Sequence, residues 1–296
     1  MSRPAPSLRA LLRGAIDYAG LFPPASLSMA DAATTFATHL ASPQAWLLGR
    51  FVAPVSALGE LSREAERLAG IGIAPWRVSA LLSMSDVDST STIASLDAHT
   101  GRLVVDAVEW RGVPQAEIAD AVRSLPSNVM SFVELSPSDD LDDHLAALGA
   151  LKVRAKLRTG GVTADAFPSA TDVSRFIGRC AGLGVAFKAT AGLHHPLCGV
   201  HPLTYADDAP SAKMFGFLNV FVASVFAHLG VPERELLEIV IEEDSSAFVF
   251  EEDALRWRGR RASIDQIDAS RERVCTAFGS CSIDEPVNDL RVLELL

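Results

Sequence analysis

An alternation of two kinds of segment restricts the fold of this chain more than any other feature. From residue 47 onward, short β-rich runs follow one another: LLGRFVAP (47–54), WRVSALLS (76–83), RLVVDAVEW (102–110), VMSFVELS (129–136), VRAKLRTGG (153–161) and VAFKATAGL (185–193). Between them lie amphipathic stretches such as ALGELSREAERLAG, PQAEIADAVRSLP, DDLDDHLAALGA and SATDVSRFIGRCAGLG. One strand and one helix recur at roughly 25 to 30 residues, the rhythm of a parallel sheet built from βα units.

An open doubly wound sheet and a closed barrel both fit that rhythm. No GxGxxG follows the first strand, and polar residues gather near the C-terminal ends of the runs: Asp106 and Glu109, Glu134, Lys156 and Arg158, Lys188 and Thr190. A barrel brings all these ends to one mouth, whereas an open sheet gathers only those at its switch point. The expectation is an α/β protein with one domain over residues 1–296, a single (β/α)8 TIM-type barrel. Its strands at 50–54, 78–82, 103–108, 130–134, 154–158 and 185–189 should be parallel neighbours. After residue 193 the rhythm changes. A loop rich in His, Pro and Asp, the apolar run MFGFLNVFVASVFAHLG (214–230) and PERELLEIVIEED make a long helical insertion, about 194–244, before the last strand. SSAFVFEEDALRWRG places that strand near 246–250, extended into a hairpin, and RASIDQIDASRERVCTAFGS reads as a closing helix. The segment 214–230 is apolar nearly all round, which points to burial or to a contact in a homo-oligomer.

Charge excludes some functions. The net charge is −11 and no basic cluster is long enough to track phosphates, so no nucleic-acid partner is expected. The cluster RWRGRR (256–261) is short and flanked by acids, as in an exposed hairpin or helix start. The segment MSRPAPSLRALLRGAIDYAGLF lacks a continuous apolar core, and no run of about 18 apolar residues occurs, so a cytoplasmic protein without a membrane partner is expected. Four cysteines form no CxxC pair and are expected to be reduced and structural; Cys198, after HHP, is the one nearest a candidate site.

The basic residues themselves are unusual. Of 26, only Lys152, Lys156, Lys188 and Lys213 are lysine. A chain that solves its surface charge with arginine uses lysine inside apolar strands for what arginine cannot do, which is to lose a proton and attack a carbonyl. Period-2 alternation puts Lys156 with Arg158, and Lys188 with Thr190, on one face of each strand. Two neighbouring lysines in a partly desolvated mouth each oppose the other's protonation, lowering a pKa that is near 10.4 in a free side chain. The alternative is structural: buried ion pairs with Asp106, Glu109 or Glu134, which bring little stability over apolar packing.

Several of these runs, taken in order, resemble one family. AIDYAGLFPPASLSMADA (15–32) is similar to the opening strand of the deoxyribose-phosphate aldolases, class I aldolases on a (β/α)8 barrel. GRFVAPVSAL resembles their second strand, VVDAVEW the strand bearing the catalytic aspartate, and FVELS the strand ending in glutamate. AKLRTGGVT is similar to their lysine-x-x-threonine-glycine strand, and FKATAGL to their phenylalanine-lysine-x-x-x-glycine strand. The resemblance covers roughly 15–193. Arg158 stands where the family has a small hydroxyl residue, and GLHH replaces a glycine-rich segment that helps hold phosphate. The resemblance implies a Schiff-base-forming lyase, a reversible aldolase on a small carbonyl substrate with or without a phosphate. It makes Lys156 the nucleophile, Lys188 the cation beside it, and Asp106 the general acid and base.

Around them, substrate contacts are expected from Glu134, Arg158, Thr159, Gly160, Gly161, Thr190, His194, His195 and Asp17. RTGG (158–161) can form an N–H nest for a phosphate or carboxylate, or a plain turn that uses glycine for its φ freedom. DYAGLFPP can lie over the mouth, with Asp17 and Tyr18 lining it, or close the base of the barrel. HHPLCGVH offers a metal-dependent lyase or isomerase instead, with His194, His195 and His201 joining Glu134 or Asp106. Adjacent histidines in an extended segment point opposite ways, however, and no HxH or HExxH reinforces the idea, so no metal and no cofactor is called for. A non-catalytic barrel that binds a small acidic metabolite is the third reading.

Overall fold

The computed structural model describes residues 3–70, 75–83, 101–123, 125–126, 128–137 and 140–296. Its first two thirds are a βα series, which from residue 47 onward is the alternation read from the sequence. They comprise α1 (Pro6–Leu12), β1 (Ile16–Tyr18), α2 (Met29–Leu40), β2 (Leu48–Pro54), α3 (Leu58–Arg67), β3 (Trp76–Leu82), β4 (Leu103–Trp110), α4 (Gln115–Arg123), β5 (Met130–Leu135), α5 (Leu141–Ala150), β6 (Arg154–Arg158), α6 (Ala170–Leu183) and β7 (Phe187–Thr190). The rest comprises β8 (Gly199–Pro202), β9 (Ser211–Met214), α7 (Phe217–His228), α8 (Glu233–Val240), β10 (Phe248–Phe250), β11 (Ala254–Trp257), β12 (Arg260–Ser263), α9 (Ile264–Arg273), β13 (Cys275–Ser280) and α10 (Asp284–Val292).

Strands β1 to β7 pair in parallel with their sequence neighbours, and β13 closes the barrel between β7 and β1. The fold is a TIM-type (β/α)8 barrel. Its outer layer follows from alternation. Phe51 and Trp76 face outward and meet Tyr18 and Phe36 in a cluster of rings with centroids 5.2–6.3 Å apart, which seats α2 on the sheet. Tyr18 therefore packs outside the barrel and does not line its mouth. Three helices start with the same device: Ser28, Ser169 and Ser263 each accept from the backbone N–H three residues on, beside Asp31, Asp172 and Gln266.

Helix α7 is the apolar segment expected to be buried or to join subunits, and burial is what the fold uses. Every residue from Phe217 to Phe226 is buried. Asn219, fully enclosed, accepts from the Cys198 N–H and donates to the Ile239 and Glu242 carbonyls, so its polar atoms tie the loop before α7 to the end of α8. Among the described residues no helix is long and apolar enough to cross a membrane.

The last barrel strand lies elsewhere than expected. Residues 248–250 pair antiparallel with β11, and β11 with β12, in a small separate sheet. Three residues separate β10 from β11, enough for a hairpin, whereas a parallel neighbour needs a crossover of a dozen or more. RWRGRR is the exposed turn of that sheet, with Arg258, Arg260 and Arg261 paired to Glu238 and Glu242, Glu235, and Asp253. The closing strand is CTAFGS, read from the sequence as the end of a helix. Only Val274 separates it from α9, so no glycine or proline marks the change, and its small residues carry little β signal.

Candidate active site

The C-terminal ends of the strands surround a cavity of about 580 Å³. At its floor three strands meet in register. Glu134 is level with Lys156, and Lys156 with Lys188, while Asp17 reaches in from β1. These side chains and Glu109 form a chain of alternating charge. Lys188 Nζ donates to Asp17 Oδ2 and, at 2.7 Å, to Glu109 Oε1. Glu109 Oε2 is 3.4 Å from Lys156 Nζ, which is 2.9 Å from Glu134 Oε2, and Glu134 Oε1 accepts from Arg158 Nε at 3.1 Å. Three acids and three bases thus cancel one another along one connected path.

Burial alone would push protons onto the acids and off the lysines, but the partners outweigh it. Glu109 is wholly enclosed; despite that penalty, Lys188, Lys156 and the Ser79 hydroxyl hold its carboxyl at about 2. Glu134 is lowered as well, burial being overcome by Lys156 and Arg158. Lys188 is raised above the usual lysine range, because Asp17 and Glu109 together exceed its desolvation. Its ammonium also lies 5.6 Å from the Phe132 ring centroid.

Asp17 is fixed from both sides. Its Oδ1 accepts the Arg50 N–H at 2.8 Å and sits over Gly49, where a Cβ would overlap it.

Asp106, the expected proton carrier, is placed apart from the lysines. It receives Arg50 Nε at 2.6 Å and Arg77 Nε at 2.8 Å, both from the early parts of β2 and β3, toward the N-terminal end of the barrel. The cause is a bulge: Val105 pairs with Val78 and Ala107 with Ser79, leaving Asp106 without an opposite residue. An inserted residue reverses the alternation, so Asp106 and Glu109 both face inward, in different layers. Glu109, named from the sequence as a structural partner and outside the expected substrate contacts, is the carboxylate that meets both lysines. Only an unmarked bulge distinguishes the two acids.

The remaining expected residues divide. Arg158, Gly161, Thr190, His194 and His195 line the cavity. Thr159 is buried and its hydroxyl donates to the Ala191 carbonyl, tying β6 to the end of β7. Gly160 lies under the Phe167 ring and against Gly192, whose φ of +74° suits glycine; that close approach explains the glycine, and the segment is a packed turn. Phe22, Pro23 and Pro24 lie over the mouth, as one reading of DYAGLFPP had it.

The two histidines do not diverge as an extended segment would make them. His194 Nδ1 is 3.2 Å from Glu285 and His195 Nδ1 2.7 Å from Asp289, one turn apart on α10. His201 stacks on His195 at 3.5 Å. Burial opposes protonation of His194, but Cys281 and Glu285 outweigh it and raise its pKa to about 10. Tyr205, from the turn between β8 and β9, donates to Glu285 at 2.9 Å and lies 3.6 Å from Cys281. Cys281 lines the cavity; Cys198, the cysteine singled out from the sequence, does not. All four cysteines are buried and free. Among the described residues no group of three His, Cys, Asp or Glu side chains is disposed to hold a metal ion.

Fold and site together define a TIM-type barrel with a charged cavity at the C-terminal ends of its strands. No protein-family model and no curated protein matches the chain. Among solved structures, the crystal structure of nitroalkane oxidase from Streptomyces ansochromogenes is similar over 64% of this chain and 62% of that one, at 17% identity and a TM-score of 0.34. The aligned part is less than two thirds of that protein, and a superposition this loose carries no argument about the site.

Proposed function

We propose that the protein is a Schiff-base-forming lyase, a reversible aldolase acting on a small carbonyl compound. The observation that carries this reading is the placement of two buried lysines level with one another on β6 and β7, at the floor of the cavity and joined through Glu109. Lys156 is the nucleophile. Lys188, held as an ammonium by two carboxylates, supplies a fixed positive charge. Glu134, partly open to solvent, carries the Lys156 proton to water.

The free Lys156 amine attacks the carbonyl carbon; a C–N bond forms and the π pair moves to oxygen, which takes a proton. Loss of water leaves the iminium. Glu109, ionised and oriented by Lys188 and Ser79, then accepts the proton of the β-hydroxyl group as the Cα–Cβ bond breaks. That bond's electrons flow to the iminium nitrogen to give an enamine and a free aldehyde. Protonation of the enamine and hydrolysis return the amine. Glu109 thereby takes the role that the family resemblance gave to Asp106.

Borohydride added with small aldehydes and ketones tests the reading. Reduction of the imine should leave a mass increment on the Lys156 peptide, absent in Lys156→Arg. Adducts confined to Lys188 would reverse the two roles, and none on either lysine would remove the imine chemistry.

A further inference from the structure

We propose that the substrate is a short oxo acid, a monocarboxylate bearing a ketone or aldehyde, whose carboxylate is bound by Arg111 at the cavity rim. The inference rests on the aldolase reading for its carbonyl and on independent observations for its anion. The first is charge balance. Lys188, Lys156 and Arg158 are matched by Asp17, Glu109 and Glu134, and His194 by Glu285. Arg111 also lines the cavity, and no acid among the described residues pairs with it. Among the described residues that line the cavity, Arg111 is thus the one lysine or arginine without an acidic partner. A carboxylate matches that single guanidinium one for one, whereas a phosphate dianion brings twice the charge of the one cation left to meet it.

The second observation is register. Trp110 is level with Val133, and Val133 with Ala155, so Arg111 follows in the row that contains Glu134, Lys156 and Lys188. Arg111 also shares the face of Glu109, two residues before it. Two strand spacings, about 10 Å, separate its backbone from that of Lys156, and both side chains project into the same cavity. One small molecule can thus present a carboxylate to the guanidinium fork and a carbonyl to the amine. The iminium restores the positive charge that Lys156 gives up on attack, so the matched row of charges is unchanged while the carboxylate stays on Arg111.

The test is competitive trapping. Pyruvate, 4-oxopentanoate, hydroxyacetone and dihydroxyacetone phosphate are offered at equal concentration with borohydride. Adducts on the Lys156 peptide are read by mass and normalised to trapping by free Nα-acetyl-lysine. At least one oxo acid should exceed both other probes by tenfold or more. Arg111→Gln should lower the ratio of oxo acid to hydroxyacetone by about ten- to a hundredfold, the scale of one charged hydrogen-bonded partner. Arg111→Lys should recover part of it. A ratio unmoved by Arg111→Gln, or a preference for the phosphate, would overturn the proposal while leaving the imine reading intact. If no carbonyl is trapped, the imine reading fails, and lactate, which cannot form an imine, decides the anion site by calorimetry. Binding that is lost in Arg111→Gln upholds the site, and absence of binding removes it.

Discussion

Glu109 stands between Lys156 and Lys188, one oxygen toward each amine at 3.4 and 2.7 Å. Two lysines side by side would repel and each lower the other's proton affinity; a carboxylate between them changes the problem. Lys188 is stabilised as a cation, and the acid that joins the pair is itself kept ionised. The arrangement therefore separates the roles of two residues that alternation alone makes equivalent.

Replacing either candidate acid distinguishes them. Glu109→Gln removes a buried partner of both lysines and should cost about 3 kcal/mol or more in stability, together with the loss of retro-aldol turnover. Asp106→Asn should cost about 1–3 kcal/mol, because it weakens contacts to Arg50 and Arg77, yet leave borohydride trapping on Lys156 in place. Urea unfolding and adduct mass measure the two effects. Loss of trapping in Asp106→Asn alone would return the proton-carrying role to that residue.

The acid limb of stability should report Glu109. Its pKa falls from 4.5 to about 2 on folding, and that of Glu134 falls too, so the unfolded chain binds more protons as the pH drops below the ordinary carboxylate range. Their contribution is fully present above about 4.5 and is lost as the pH falls toward 2. In urea titrations from pH 7 to pH 3, the gap between wild type and Glu109→Gln should narrow toward the acid end. A gap that stays constant would mean that the carboxylate charge is not what stabilises the site.

The contrast between these two acids also shows where sequence reading stops. The six strands from residue 47 to the insertion were legible because each is a short β-rich run followed or preceded by an amphipathic stretch, whereas the three-residue first strand was visible only through the family resemblance. The lysines were legible because arginine so outnumbers them. What escaped were features with no local signature. The bulge at Asp106 shifts the phase of β4 without a glycine or proline, and β13 follows α9 after a single residue. The partners of His194 and His195 lie about 90 residues away on α10, and only the closed barrel brings that helix to the mouth. Spacing within the loop could not show that both rings would meet one helix.

His194 should control the alkaline limb. Its pKa rises from 6.5 unfolded to about 10 folded, although burial alone would lower it, because Cys281 and Glu285 hold the proton. A raised value means that the stabilisation is fully present below about 6.5 and disappears as the pH climbs toward 10. The melting temperature of wild type should therefore decline over that window, and His194→Gln should flatten the decline. Tyr205→Phe, which removes one donor to Glu285 but not the histidine, should leave the slope in place. An unchanged slope in His194→Gln would assign the alkaline loss to another group.

Gly49 offers a test of whether Asp17 positions Lys188 or only fills space. In Gly49→Ala the new Cβ would overlap Asp17 Oδ1 and come within 2.9 Å of the Gly14 carbonyl, so the carboxylate has to move. The Arg50 N–H then loses its acceptor and Lys188 loses one of two carboxylates, an expected cost of about 1–3 kcal/mol. Asp17→Asn removes the charge directly. If the glycine acts through the aspartate, the double variant should be less destabilised than the two single costs added together, by about 1 kcal/mol or more, since both changes break the same contact. Strict additivity in urea unfolding would show that the glycine serves the Gly14 turn instead. In both single variants Lys188 is less firmly held as a cation, so trapping with a carbonyl should begin to mark Lys188 as well as Lys156. Adducts that remain on Lys156 alone would mean that Glu109 by itself suffices to keep Lys188 protonated.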